Sequence, residues 1–139
     1  MCGYTTADQF TTIHNYINVD EMILRKGAIA APKGARVLIP MNMRDGCILG
    51  IGKSNPEWNY SAPHGAGRLM SRNEAKSRLN MDDFKKSMEG IYSTTVVEDT
   101  LDEAPMAYKS VDDILATLKE TVDVVDILKP IYNFKAAEK

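Results

Sequence analysis

Three short apolar runs between residues 21 and 53 limit what this chain can become: "EMILRK" (Glu21–Lys26), "RVLIP" (Arg36–Pro40) and "GCILGIGK" (Gly46–Lys53). Each is too short for a stable helix and is bounded by turn-forming or charged residues, so each is expected to be a buried strand. The segment "GAIAAPKGA" (Gly27–Ala35) reads as the turn between the first two runs. Glycines within the third run predict a strand whose backbone something approaches closely. "SNPEWNYSAP" (Ser54–Pro63) is a loop by composition.

Past residue 70 the pattern turns helical. Ser71-Arg72-Asn73-Glu74 fits a capping box, and Asn80 can cap "MDDFKKSME", which Gly90 then stops. Helices are therefore expected near residues 71–89. "IYSTTVV" (Ile91–Val97) is β-branched and strand-like. Ser110 with Asp113 opens a helix expected over residues 110–128. There Val111, Ile114, Leu115, Leu118, Val122, Val125 and Leu128 recur at helical spacings as one stripe. Pro130 ends it, and "IYNFK" (Ile131–Lys135) reads as a closing strand. Residues 1–12 are polar and aperiodic, a weakly ordered lead-in, and residues 13–139 read as one segment of α+β class.

Composition narrows the function classes. A chain of 139 residues suits one domain with a real core, or part of a larger one. No apolar run approaches the ~20 residues needed to cross a bilayer, and no secretory pattern opens the sequence. Cys2 and Cys47 imply no disulfide framework, so a reducing compartment, the cytoplasm, is expected. The net charge of -2 argues against a generally basic nucleic-acid coat. Basic residues nevertheless crowd between Arg25 and Arg78, whereas acidic ones concentrate after Glu74, so a local basic site is allowed.

The stretch "YSAPHGAGRLMSR" (Tyr60–Arg72) lies in that basic half. Ala62, Gly65, Ala66 and Gly67 leave His64 bare, and glycines let backbone N–H groups approach a ligand, as phosphate-cradling loops do. Arg68 and Arg72 could add charge-assisted contacts to phosphate oxygens near a helix start. An imidazole beside a phosphate is a general base or a nucleophile; the alternative is a histidine in a Gly-rich surface turn. His14, in "IHNYIN", reads as a half-buried histidine satisfied locally, since one histidine makes no metal site. Cys47 reads as a buried small hydrophobe rather than a thiol nucleophile. Tyr108 either packs or stacks on a base. Lys135 reads as a tail charge, and Asp99, Asp102 and Glu103 as a solvated loop.

Taken together, "HNYI" (His14–Ile17), "RKGA" (Arg25–Ala28), "IPMNM" (Ile39–Met43), "GKSN" (Gly52–Asn55), "HGAGRLMSR" (His64–Arg72), "DEAPMAYK" (Asp102–Lys109) and "YNFK" (Tyr132–Lys135) resemble the C-terminal part of the RtcB family of RNA-splicing ligases. The blocks come in family order from residue 13 onward, and His-Gly-Ala-Gly-Arg-x-Met-Ser-Arg is highly specific. The resemblance implies the C-terminal portion of the RtcB-type fold. It also implies an RNA ligase that uses GTP and Mn²⁺ to join a 2′,3′-cyclic phosphate or 3′-phosphate end to a 5′-hydroxyl end. By the same implication His64 is the nucleophile that becomes guanylylated, and His14 is a Mn²⁺ ligand with Asn15 near the nucleotide. The guanylate site would take Pro40, Met41, Asn42 and Met43, Cys47, then Gly65, Ala66 and Gly67, Tyr108 and Lys135. An unobstructed imidazole suits in-line access to phosphorus.

Two departures bear on that site. Pro-Met-Asn-Met stands where the family has Pro-Gly-Ser-Met, and Cys47 replaces a usual serine, a good donor exchanged for a poor one. The family's other Mn²⁺ ligands lie in an N-terminal two-thirds that this sequence does not contain. The expectation is therefore a chain inactive alone. Its partners would be RNA ends and, as a separate polypeptide, that N-terminal portion. The alternative is a non-catalytic nucleotide- or RNA-binding remnant, or one subunit of a split ligase.

Overall fold

A computed structural model describes residues 10–136. Most of the lead-in expected over residues 1–12, Cys2 included, therefore lies outside the described residues. In order, the strands and helices are β1 (His14–Asn18), β2 (Ile23–Ala30), β3 (Arg36–Pro40), β4 (Cys47–Gly52), β5 (Ser61–Pro63), α1 (Arg72–Arg78), α2 (Met81–Ser87), β6 (Tyr92–Ser93), α3 (Val111–Leu118), β7 (Val122–Leu128) and β8 (Tyr132–Asn133). The class is α+β. Two antiparallel sheets carry it, ordered β1-β2-β5 and β3-β4-β7, with β6 and β8 as a short parallel pair.

The three apolar runs are strands, as their length requires. β4 is central in its sheet, and alternate positions Ile48, Gly50 and Gly52 are fully buried. Its glycines answer to close neighbours: a Cβ on Gly52 would fall 2.4 Å from the Pro32 carbonyl oxygen. β2 runs further than composition suggests. "GAIA" is not part of the turn, because Ala28, Ile29 and Ala30 pair with Pro63, Ala62 and Ser61. Small residues there permit a neighbouring strand rather than a reversal.

The helix expected over residues 110–128 breaks in two. Ser110 caps α3 by accepting the Asp113 N–H, and α3 buries Ile114 and Leu118. After a turn at Lys119–Thr121 the chain becomes β7, pairing Val122 with Gly52 and Leu128 with Cys47. The apolar spacing fits either element, and the β-branched residues Val122, Val124, Val125 and Ile127 favour the strand once β4 offers a free edge. "IYSTTVV" is strand only at Tyr92–Ser93. Beyond it the hydroxyl of Thr100 donates to the carbonyl oxygens of Thr95 and Val97, so a side chain takes acceptors that a ladder would use. "IYNFK" is likewise strand only at Tyr132–Asn133.

The helices near 71–89 form as their caps predict. Ser71 accepts from Glu74 N–H, Asn80 from Asp83 N–H, and Gly90 at φ +85° lies just past α2. Two apolar clusters result. One packs Ile29, Val37, Ile39, Ile48, Ala62 and Ala66 of the sheet region against Ile114 and Leu118 of α3. The other gathers Met43, Phe84, Met88, Leu101 and Ala104 around α2.

Gly46 precedes β4 with φ +83°, and a Cβ there would meet the Leu128 carbonyl oxygen at 2.0 Å, whereas Gly34 at φ +79° has nothing within 4 Å. Gly46→Ala should therefore cost more than Gly34→Ala, with the latter set near ~1 kcal/mol by backbone conformation alone. Urea unfolding of both variants checks the order; equal losses would show that the contact with β7 is unimportant.

Candidate functional site

His64 sits where β5 runs out, and β2 fixes it there. The His64 N–H donates to the Gly27 carbonyl at 3.4 Å. Gly27 adopts φ +67°, and its α-carbon faces the imidazole so closely that a Cβ would stand 3.6 Å from the ring. Opposite, the β1–β2 register shifts between His14 and Tyr16, and Asn15 takes φ +59°. The Asn15 Oδ1 accepts the Gly27 N–H at 2.7 Å, which closes that bulge. The result places the His14 and His64 rings 4.7 Å apart, tilted by 36°. His14 is exposed rather than half-buried as its neighbours suggested.

The small residues after His64 bring the loop against the end of β3. Ala66 N–H donates to the Pro40 carbonyl at 3.2 Å, and a Cβ on Gly65 would lie 3.1 Å from that same oxygen. Further on, Lys109 N–H donates to Gly67 O at 3.1 Å and Leu69 N–H to Ala107 O at 2.8 Å. Arg68 and Tyr108 form a bridge between these segments. Sequence positions near 40, 66 and 108 thus converge.

Beside them lies a charged cluster. Asp99 is exposed, but Asp102 and Glu103 are 4% and 7% exposed, so they are not a solvated loop. Arg72 Nη1 stands 2.6 Å from Asp102 Oδ2 and 2.7 Å from Glu103 Oε1. Arg68 Nη1 is 3.5 Å from Glu103 Oε1, and Lys135 Nζ 3.1 Å from Glu103 Oε2. The Tyr108 hydroxyl donates to Glu103 Oε2 at 2.6 Å and accepts from Arg68 Nη1 at 3.1 Å. The guanidiniums that the sequence offered to phosphate are therefore engaged with buried carboxylates. A carboxylate buried this deeply must be paired, and each cation offsets its desolvation.

The protonation states follow. Burial and then the Glu103 carboxylate push the Tyr108 phenol up to about 12. Burial works to raise Glu103 itself, but the Tyr108 hydroxyl and the Lys135 and Arg72 cations outweigh it, and its pKa falls below the usual carboxylate value. Burial raises the Cys47 thiol, consistent with a small packed side chain rather than a thiolate.

Two cavities flank the convergence. One of about 550 Å³ is lined by Leu24, Gly27, Trp58, Lys109 and the run His64–Gly67. The other, about 380 Å³, is lined by Pro40, Met41, Asn42, Cys47, Asn133 and Lys135. The residues expected at the site thus lie mostly along these two cavities. Met43 lines neither cavity, being 0% exposed and packed with Phe84, and His14 and Asn15 also lie outside both linings. Asn42 lines one, yet its amide is used in a turn, accepting Arg44 and Asp45 N–H and donating to Asp45 Oδ2. Tyr108 borders the cluster without lining either cavity.

Sequence reasoning passed over Gly27 and Asn133 and set Glu103 aside as part of a solvated loop. The charge asymmetry could have paired Glu103 with Arg68 and Arg72. Nothing local marked Asn133, whose Oδ1 is buried with no donor. Among the described residues no group of three or more His, Cys, Asp or Glu side chains could hold an ion.

Because Glu103 titrates lower when folded, it stabilises the fold above its unfolded value near ~4.3, and that contribution is lost as pH falls through the lower folded value. The melting temperature of Glu103→Gln should consequently fall less than that of the parent between about pH 5 and about pH 3. Parallel losses in calorimetric scans would assign acid sensitivity elsewhere.

The family described as tRNA-splicing ligase RtcB matches residues 3–136. A protein named RNA-splicing ligase RtcB from Escherichia coli (strain K12) is 32% identical over 128 residues, covering 88% of this chain and 31% of the relative. One named tRNA-splicing ligase RtcB from Aeropyrum pernix is 35% identical over 135 residues, covering 74% of this chain and 27% of its own length. The chain thus spans less than a third of the length of these two relatives. With a match across nearly its whole length and the His-Gly-Ala-Gly-Arg loop folded against β2 and β3, the chain belongs to the RtcB family of tRNA-splicing ligases.

Proposed function

We propose that this chain carries the guanylate-accepting part of an RtcB-type RNA ligase, with His64 as the nucleophile. The observation that carries the reading is the seat of His64: held by Gly27, followed by Gly65, and lining an open cavity beside His14. A lone pair on the His64 imidazole forms one phosphorus–nitrogen bond to the α-phosphate of GTP while pyrophosphate departs. His64 then releases the guanylyl group to an RNA 3′-phosphate, and the 5′-hydroxyl end displaces GMP.

The second cavity suits the base end of the nucleotide, with the α-phosphate reaching back to the His64 loop. Its volume is in the range of small-ligand sites, Lys135 supplies a cation, and the orphaned Asn133 oxygen is an acceptor without a donor. Pro40, Met41, Asn42 and Cys47 would line it, joined to the His64 loop by the Ala66–Pro40 hydrogen bond. Tyr108 would act from behind, through Arg68 and Glu103.

Mn²⁺ is a different case. His14 would be one ligand, but the described residues do not complete a site, so no metal step is derived for this chain. The other ligands would come from the portion of the family protein that the chain does not span. Around His14, Ile13, Ile17, Met22 and Leu24 are 62–86% exposed, an apolar surface that suits a covering polypeptide. The second reading, a nucleotide- or RNA-binding module without catalysis, draws support from the same incomplete ligand group.

Labelling with GTP radioactive at the α-phosphate, in the presence of Mn²⁺, separates the readings. The chain mixed with a polypeptide carrying the rest of an RtcB protein should retain label, whereas the chain alone and His64→Gln in the mixture should not. Label on His64→Gln would remove the nucleophile assignment. Joining of RNA ends by the chain alone would overturn its incompleteness, and GTP binding without label in any mixture would favour the binding module.

A further inference from the structure

Glu103 was not a candidate on sequence grounds, yet both its oxygens are held by groups of the site. We infer that Glu103 is a positioning residue for nucleotide binding, acting through the ammonium of Lys135. This rests on the assignment of the cavity at Pro40 and Lys135 to the guanine nucleotide.

Lysine side chains are flexible, and a cation that must be ordered at the moment of binding gives up much of its contact as entropy. Glu103 removes that cost beforehand. Its Oε2 lies 3.1 Å from Lys135 Nζ, and the carboxylate cannot swing away, because Arg72 holds Oε1 at 2.7 Å and the Tyr108 hydroxyl donates to Oε2 at 2.6 Å. The carboxylate is nearly buried, so its pull on the ammonium is screened less than at a surface. Tyr108 is fixed in turn: its hydroxyl proton is directed at Glu103, while Arg68 donates to its oxygen and stacks over its ring, 4.9 Å from the centroid. This arrangement sets the ammonium on the cavity wall in one place.

The backbone of the same residue is anchored independently. Lys135 N–H donates to Thr95 Oγ1 at 3.0 Å. Loss of the Glu103 charge should therefore free the ammonium without releasing the chain that carries it, which separates positioning from support of the fold.

The test is a double-mutant cycle on GTP affinity, read by titration calorimetry on the full chain with Glu103→Gln, Lys135→Met and the pair. Each single variant should weaken GTP binding about tenfold, and the double should be no weaker than the weaker single, since both remove one interaction. Binding by Glu103→Gln equal to the parent's, or losses that multiply in the double, would overturn the positioning role while leaving the nucleotide site standing. Failure of the unaltered chain to bind GTP would overturn the site itself, and this role with it. Should circular dichroism show Glu103→Gln unfolded, Glu103→Asp takes its place in the cycle. It keeps the charge one methylene short and should bind more weakly than the parent only while Lys135 is present.

Discussion

Two buried carboxylates hold the convergent segments of this structure together. Asp102 and Glu103 lie on one short turn, yet the cations they collect come from the loop after His64, from α1 and from the C-terminal stretch. Segments that share no strand are thereby kept in register. The energetics are one-sided: a well-paired buried carboxylate contributes modestly, but removing its partners leaves an uncompensated charge at a cost of roughly 3–5 kcal/mol. Such a centre tolerates little change, and it supports the loop that presents His64.

Much of this was legible in the sequence, for reasons that differ from element to element. Ser71 and Asn80 announced their helices because capping is local chemistry, decided within four residues. The three apolar runs announced strands because their length allowed nothing else. The segment 122–128 did not, since its valines satisfy the spacing of a helix and the pleat of a strand equally. Only β4, seventy residues earlier in the chain, resolves the choice. "GAIA" failed for a related reason, as small residues signal either a turn or a close neighbour, and the neighbour was β5.

The site shows the same division. The His64 loop could be picked out because its glycines and histidine are contiguous. The charges packed behind it could not, because carboxylates become buried only when distant arginines reach them. Met43 reverses the lesson: placed by its motif in the nucleotide site, it is instead claimed by the core beside Phe84, so the main chain at that corner matters more than the side chain. Met41, Asn42 and Cys47, the residues that depart from the family pattern, all line the same cavity.

Among the described residues β7 is an edge of its sheet, and such an edge is the usual invitation to an intruding strand. Asp126 interferes with that invitation from within. Its Oδ1 accepts the N–H of Ile127, the next residue, at 2.7 Å. A would-be partner strand thus finds one rung of the ladder already taken and a negative charge standing beside it. A single side chain thereby makes this valine-rich border less receptive to a further strand.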